Sequence, residues 1–184
     1  MQARFCYSYN PTTGLSMHTV APDYVAAQGE QVSVGEPATP QQLETWFPGY
    51  TALAAQQLRS NLIAYAGQKA TTVEAGGVTI NLAPSGKPNF VFCATDATTV
   101  TKLQIASSMA QANPEYTQLF SFQNGPVVLN AAQIALAYVG ITNFWTAVTN
   151  VLSAVIGAIN TGTITTPGQV NNPPAPLMPW PSNS

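Results

Sequence analysis

The sequence predicts an α+β fold in which a small antiparallel sheet packs against helices. Short stretches of alternating apolar residues are separated by glycine, proline and asparagine, a pattern typical of strands and turns. Elsewhere apolar residues recur at helical spacing, above all in one long C-terminal helix, and prolines crowd the end of the chain. We expect an N-terminal β-hairpin arm and linker over 1–38, a helix-strand domain over 39–168 and an extended proline-rich tail over 169–184.

The first residues predict the hairpin arm. Residues 3–9 place Phe5, Tyr7 and Tyr9 on one face of a strand, and the turn composition that follows sends 15–20 back as a second strand. Gly14 is the residue expected at positive φ. The rest of the arm predicts a loop with a short strand near 31–34.

Helix signals open the second part. Thr39 as cap and Pro40 at the first helical position predict a short helix that ends near Trp46. A second helix is expected over about 51–68.

Strands and a third helix follow a pair of glycines. Gly76-Gly77 breaks the chain, and strands are expected over 78–82 and 89–94 with a turn at 84–88 between them. Asp96 or Thr98 is expected to cap a helix that runs to about residue 113.

A compact hairpin comes next. Asn124-Gly125 lies between strands expected over 118–122 and 127–129, and both turn residues tolerate positive φ. Pro126 predicts that the second strand is an edge, because proline cannot donate to a neighbouring strand.

The long helix is predicted over 131–160, with Asn130 and Gln133 as a capping box. Its apolar residues form a heptad-like seam. The seam consists of Ile134, Tyr138, Ile141, Trp145, Val148, Leu152, Val155 and Ile159. Packing within the chain, homotrimerisation through the seam and a membrane-spanning role are all open, and packing within the chain is favoured.

The tail beyond residue 171 contains five prolines and is expected to be extended and polyproline-like. Met178 and Trp180 are unusual residues to leave in water. We expect them to anchor the tail in a groove, on a partner or on the chain itself.

The distribution of charge is the strongest functional indication. Charged residues make up 7% of the chain, against about a quarter in ordinary soluble domains, and none of them, nor any histidine, follows Glu115. Depletion of charge is typical of the core of a protein interface, so the chain is predicted to be a subunit of an assembly.

Other function classes have little support in the sequence. The five basic residues are scattered, so no patch for nucleic acid can be assembled. One histidine, His18, two distant cysteines and unpaired acids give no nucleophile, acid/base pair or metal ligand set, so no enzyme, metal or cofactor is expected. Cys6 and Cys93 are expected to be buried free thiols. No apolar leader begins the chain, which favours synthesis in the cytoplasm.

Several weak motifs carry a resemblance through their order. They are Leu58-Arg59 on a helix, Thr95-Asp96 before a helix that ends in Ala110-Gln111-Ala112-Asn113-Pro114, the strand Phe120–Phe122, Asn124-Gly125, Val127–Leu129, Asn130-Ala131-Ala132-Gln133-Ile134, and a close in Ile159-Asn160-Thr161-Gly162 and Ile164-Thr165-Thr166-Pro167. In this order, over about residues 52–170, they resemble a domain of unknown function found in tail proteins of tailed bacteriophages, including tail-fibre and tail-fibre-assembly-like proteins.

The resemblance implies a non-enzymatic virion protein near the tail fibres or baseplate, bound to other tail proteins and present as a homo-oligomer or in symmetric copies. It brings no catalytic residues. An assembly chaperone that binds the fibre tip is the alternative, and a holin-like membrane protein is a third. Partner contacts are expected from residues of the arm, the long helix and the tail. These residues are Phe5, Tyr7, Tyr9, Trp145, Met178 and Trp180.

Overall fold

The computed structural model describes residues 2–83 and 89–182 and has the α+β architecture that the sequence predicts. The turn expected at 84–88 lies outside the described residues. The strands form three small antiparallel sheets. The chain falls into two compact units, Met1–Asn61 and Leu62–Ser184, and the boundary between them lies within one helix.

The first unit begins with a three-stranded sheet. Strands β1 (Arg4–Asn10), β2 (Gly14–Thr19) and β3 (Glu30–Val34) pair in the order β2-β1-β3, both pairs antiparallel. The predicted hairpin is therefore confirmed and extended by β3. Gly14 has the expected positive φ of 91°, which closes the β1–β2 turn.

Helix α1 (Pro40–Trp46) begins as predicted, because the Thr39 hydroxyl accepts from the Gln42 backbone while the Gln42 side chain accepts from the Thr39 backbone. Helix α2 (Tyr50–Ala75) is longer than the predicted 51–68. Nothing between residue 68 and the glycine pair breaks a helix, so α2 continues to Ala75.

The second unit contains two hairpin-like sheets and helix α3 (Ala97–Ala112), which Asp96 caps. Strand β4 (Val78–Asn81) pairs with β5 (Phe90–Cys93). Strand β6 (Thr117–Phe122) pairs with β7 (Gly125–Asn130). These bounds confirm the predicted elements, but the turn between β6 and β7 is Gln123-Asn124, one residue earlier than the predicted Asn124-Gly125, and Gly125 begins β7 at φ 117°. Asn124 does not have positive φ and acts through its side chain, as described below.

Helix α4 (Ala131–Asn160) has the predicted bounds and is the central element of the second unit. Its buried residues share one face with helical spacing, and they pack against β4, β5, β7, α3 and the second half of α2. They are Ile134, Ala137, Ile141, Phe144, Val148, Val151, Val155, Ala158 and Ile159. The seam residues Tyr138, Trp145 and Leu152 are only half-buried, so the packed face is centred beside the predicted heptad seam.

The C-terminal tail contains no helix or strand between residues 172 and 182, in keeping with the predicted extended chain, but a short helix that was not predicted precedes it. Helix α5 (Pro167–Asn171) includes the first three residues of the predicted 169–184 tail, and it begins where it does because Thr166 and Gln169 form a capping box and Pro167 stands at the first position. Beyond Asn172 the chain has no further helix or strand up to residue 182, but a turn forms where the Leu177 N–H donates to Pro174 O at 3.0 Å.

Candidate functional site

The three aromatic residues expected to bind a partner from the arm lie on the packed face of β1. Tyr7 is 2% exposed and its hydroxyl accepts from the Ala38 N–H at 2.7 Å. Its ring centroid is 5.9 Å from that of Trp46. Tyr7 therefore stabilises the core of the first unit.

Phe5 and Tyr9 are half-buried against the same core. The Tyr9 ring lies 5.7 Å from Phe47 and, edge-on, 5.9 Å from Tyr50. Part of each ring stays accessible, so both keep surface that a partner could cover.

The opposite face of β1 brings together a cysteine, a histidine and a glutamate. Cys6 is paired across the sheet with His18, and Glu30 on β3 lies beside it, where its carboxylate accepts from the Tyr24 hydroxyl at 2.6 Å and the Ala27 N–H at 2.9 Å. The sequence analysis missed this grouping. The register that Gly14 sets pairs Cys6 with His18 and could have revealed it.

The electrostatics of this cluster favour a structural role. Burial raises the pKa of the Cys6 thiol, and the neighbouring Glu30 carboxylate raises it further. A nucleophilic cysteine needs the reverse, an accessible thiol with a lowered pKa. The hydrogen bond from the Tyr24 hydroxyl lowers the pKa of the Glu30 carboxyl and raises the pKa of Tyr24 to about 12. The same hydrogen bond links the two ends of the 24–30 loop.

The remaining thiol and acids also have local structural roles. Cys93 is a buried free thiol, like Cys6, and burial raises its pKa to about 11. The Glu44 carboxylate accepts from Gly49 and Thr51 at the start of α2, and these backbone bonds lower its pKa. Across residues 2–83 and 89–182 no group of three or more His, Cys, Asp or Glu side chains is arranged so that it could hold a metal ion.

The outward face of α4 forms a candidate contact surface. Its exposed residues carry no charge, and they are Ala132, Ala135, Val139, Asn143, Thr146, Thr149, Asn150, Ser153, Ala154, Gly157 and Asn160. Half-buried Trp145 lines a shallow groove on this face together with Thr142, Thr146, Thr149 and Asn150. The indole thus has both packed and accessible surface, which suits the predicted partner contact.

The two tail residues have different surroundings. Trp180 is half-buried against the core of the second unit, and its Nε1–H donates to Val170 O at 2.7 Å. Met178 is 62% exposed and makes no comparable contact within the described chain. The groove expected for Trp180 is therefore supplied by the chain's own body, while Met178 keeps its side chain available to a partner.

A second charge-free surface lies on the β6–β7 hairpin. Leu119 and Val128 face each other across the two strands and are 61% and 60% exposed. Phe120 and Phe122, on the other face, are buried with their rings stacked at 5.9 Å. The sequence analysis did not single out this apolar pair.

Helix α4 also meets a simple criterion for crossing a membrane. It is the one helix in the described part of the chain with the necessary length and composition, at a mean hydropathy of 1.4 over an 18-residue window of which 28% is buried. Core helices of soluble proteins meet the same criterion. The buried face of α4 packs against the neighbouring strands and helices of the second unit.

Comparison of the chain with protein-family models, with curated proteins and with solved structures gives no match. Function has to be argued from the residues. The accessible features described above are two charge-free surfaces and an exposed tail methionine in the second unit, together with the exposed parts of the Phe5 and Tyr9 rings in the first unit.

Proposed function

We propose that this chain is a non-enzymatic structural protein of a bacteriophage virion, associated with the tail fibres or baseplate, where it joins or decorates other tail subunits. The observation that carries the proposal is the absence of charge on the surface formed after Glu115. Along 30 residues of α4 every exposed position is uncharged, and the β6–β7 hairpin exposes an apolar pair. A surface of this composition is suited to burial against protein.

The assignment to a phage tail depends on the order of motifs given above, whereas the assembly role depends on the surface alone. The two parts are therefore separable. The turn and cap residues in those motifs have clear structural roles in this chain, for example Asn130 and Gln133 at the start of α4.

The test is mass spectrometry of purified phage particles, with the copy number measured against the major tail protein. We expect the chain to be present in a multiple that matches the symmetry of the tail. Absence from particles, with the protein bound to soluble fibre in the lysate, would overturn the structural role and favour the assembly chaperone.

The membrane alternative has one observation in its favour, the length and apolar character of α4. Insertion would require α4 to leave the buried contacts that Ile134, Ile141 and Val148 make within the second unit. Recovery of the protein with membranes after carbonate extraction would favour this alternative over the virion role.

A further inference from the structure

Strand β6 has an edge to which no other strand of the described chain is hydrogen-bonded, although β5 lies close to β6. Strand β6 pairs with β7 alone, in a two-stranded sheet, within the part of the chain that the structure describes. An uncovered strand edge presents a row of backbone N–H and C=O groups that can pair with another chain.

The position of Pro126 in the register identifies which backbone groups of β6 point away from β7. Pro126 lies opposite Ser121 and has no N–H, which is tolerated where the pair is not hydrogen-bonded. In an antiparallel ladder such pairs alternate with hydrogen-bonded ones, so Leu119–Val128 and Thr117–Asn130 belong to the same class. The N–H and C=O groups of Thr117, Leu119 and Ser121 therefore point away from β7.

A groove runs along this edge. It is a cavity of about 210 Å³ lined by Gln118, Leu119, Phe120, Ser121 and Phe122, with Thr99 and Lys102 of α3 on the other side. Side chains of a strand alternate between its two faces. A cavity that contacts five consecutive residues must therefore border the backbone itself.

The residues around the groove define what can enter it. Leu119 is exposed beside the edge, so an added strand would gain apolar contact there. Lys102 is the charged residue among those lining the groove, and the Thr99 hydroxyl is already committed to Asp96. An acidic side chain on the incoming strand would complement Lys102.

The two edges of the hairpin differ in how well they are protected. Proline and lysine on an edge strand hinder pairing with other chains. β7 contains Pro126, whereas β6 contains neither proline nor a charged residue. Strand addition is thereby directed to β6.

We propose that β6 binds an extended segment of a partner protein as an added strand, with an apolar residue beside Leu119 and an acidic residue facing Lys102. The inference specifies one partner contact of the proposed assembly role, and it rests on that role only in taking the partner to be a protein. The test uses a synthetic peptide and no phage particle, so the strand-addition proposal and the proposed virion role can fail separately.

The probe is an acetylated nine-residue peptide of alternating valine and threonine with one central glutamate. It is titrated into the full, ¹⁵N-labelled chain. We expect chemical-shift changes confined to β6, its groove and Lys102. Hydrogen exchange at the outward amides of Thr117, Leu119 and Ser121 should slow by about tenfold or more, because these amides gain partners.

Charge reversal tests the role of Lys102. Lys102→Glu should weaken binding of the glutamate peptide about fivefold and strengthen binding of the same peptide with lysine in place of glutamate by a similar factor, as expected for an exposed ion pair. Leu119→Thr keeps a good strand residue and should also weaken binding. Val34→Thr, at an exposed valine on strand β3 of the first unit, is the matched control and should leave affinity unchanged.

Three results would overturn the proposal. One is the absence of shifts at β6 up to about 1 mM peptide. Another is equal binding of a peptide N-methylated at alternate residues, which cannot pair with an edge. The third is a chain that is already dimeric, with Thr117, Leu119 and Ser121 protected before peptide is added, because a second copy would then occupy the edge.

Discussion

Asn124 pairs with the backbone of Phe90 as a strand residue would. Its Nδ2 donates to Phe90 O at 3.0 Å, and its Oδ1 accepts from the Phe92 N–H at 3.4 Å. One amide in the β6–β7 turn thus caps the edge of β5 that faces away from β4. The two small sheets of the second unit are joined at this point by a side chain.

Replacing that amide tests the link. Asn124→Ala should lower the free energy of unfolding by about 1 kcal/mol, because two exposed hydrogen bonds are lost. Urea denaturation measures the change. Gln123→Ala, at the neighbouring turn residue, is the control and should be close to neutral. An equal loss in both variants would assign the effect to the turn instead of to the Asn124–Phe90 pair.

Gly140 allows a close approach of α4 to β4. A Cβ at this position would lie 2.7 Å from Ile80 Cδ1 and 2.9 Å from Ile80 Cγ1, and Ile80 is buried. Gly140→Ala should therefore destabilise the protein by about 1 kcal/mol, since overpacking outweighs the gain in helix propensity. Thermal unfolding gives the sign.

Gly157 provides the matched control in the same helix, because nothing lies within 4 Å of a Cβ built there. Gly157→Ala should stabilise the protein by about 0.5–1 kcal/mol through helix propensity alone. If both alanine variants were stabilising, the α4–β4 contact would be looser than the structure indicates.

The sequence predicted most elements because their end signals are local. Thr39-Pro40 and Asn130 begin helices with side-chain caps that need no tertiary context. The same signals stand at Thr166-Pro167, with Gln169 in the position that Gln42 has in α1, but they were not used and helix α5 was not predicted.

Features that depend on packing were beyond the sequence. The burial of Tyr7 and the partial exposure of Trp145 depend on which neighbouring residues cover each ring. Both are large aromatic side chains, so residue type alone does not distinguish them. The free edge of β6 was likewise not predictable, because it depends on β5 being capped by Asn124 and not paired with β6.

The Asp96 cap gives a pH-dependent contribution to stability. The Thr99 hydroxyl, with the backbone N–H groups of Thr99 and Thr98, lowers the pKa of the Asp96 carboxyl. A lowered pKa in the folded state stabilises the protein above the ordinary carboxyl pKa of about 4, and this contribution is lost as the pH falls through the folded value.

Asp96→Asn keeps a good cap but does not titrate. Between about pH 5 and pH 2.5 the melting temperature of the parent chain should fall by more than that of Asp96→Asn. Thr99→Ala removes the largest cause of the shift and should give an intermediate slope. Parallel pH profiles for the parent chain and Asp96→Asn would show that the cap acts without its charge.

Trp180 separates an intramolecular role of the tail from a partner-binding one. Trp180→Ala removes ring contacts with the second unit and the hydrogen bond to Val170 O, so the free energy of unfolding should fall by about 2 kcal/mol. Hydrogen exchange should quicken over 165–171, where Val170 is buried. Met178→Ala, at the exposed position two residues away, should leave both quantities unchanged. If Trp180→Ala left stability and exchange intact but abolished incorporation into particles, the indole would act as an anchor on a partner and its packing in this structure would be secondary.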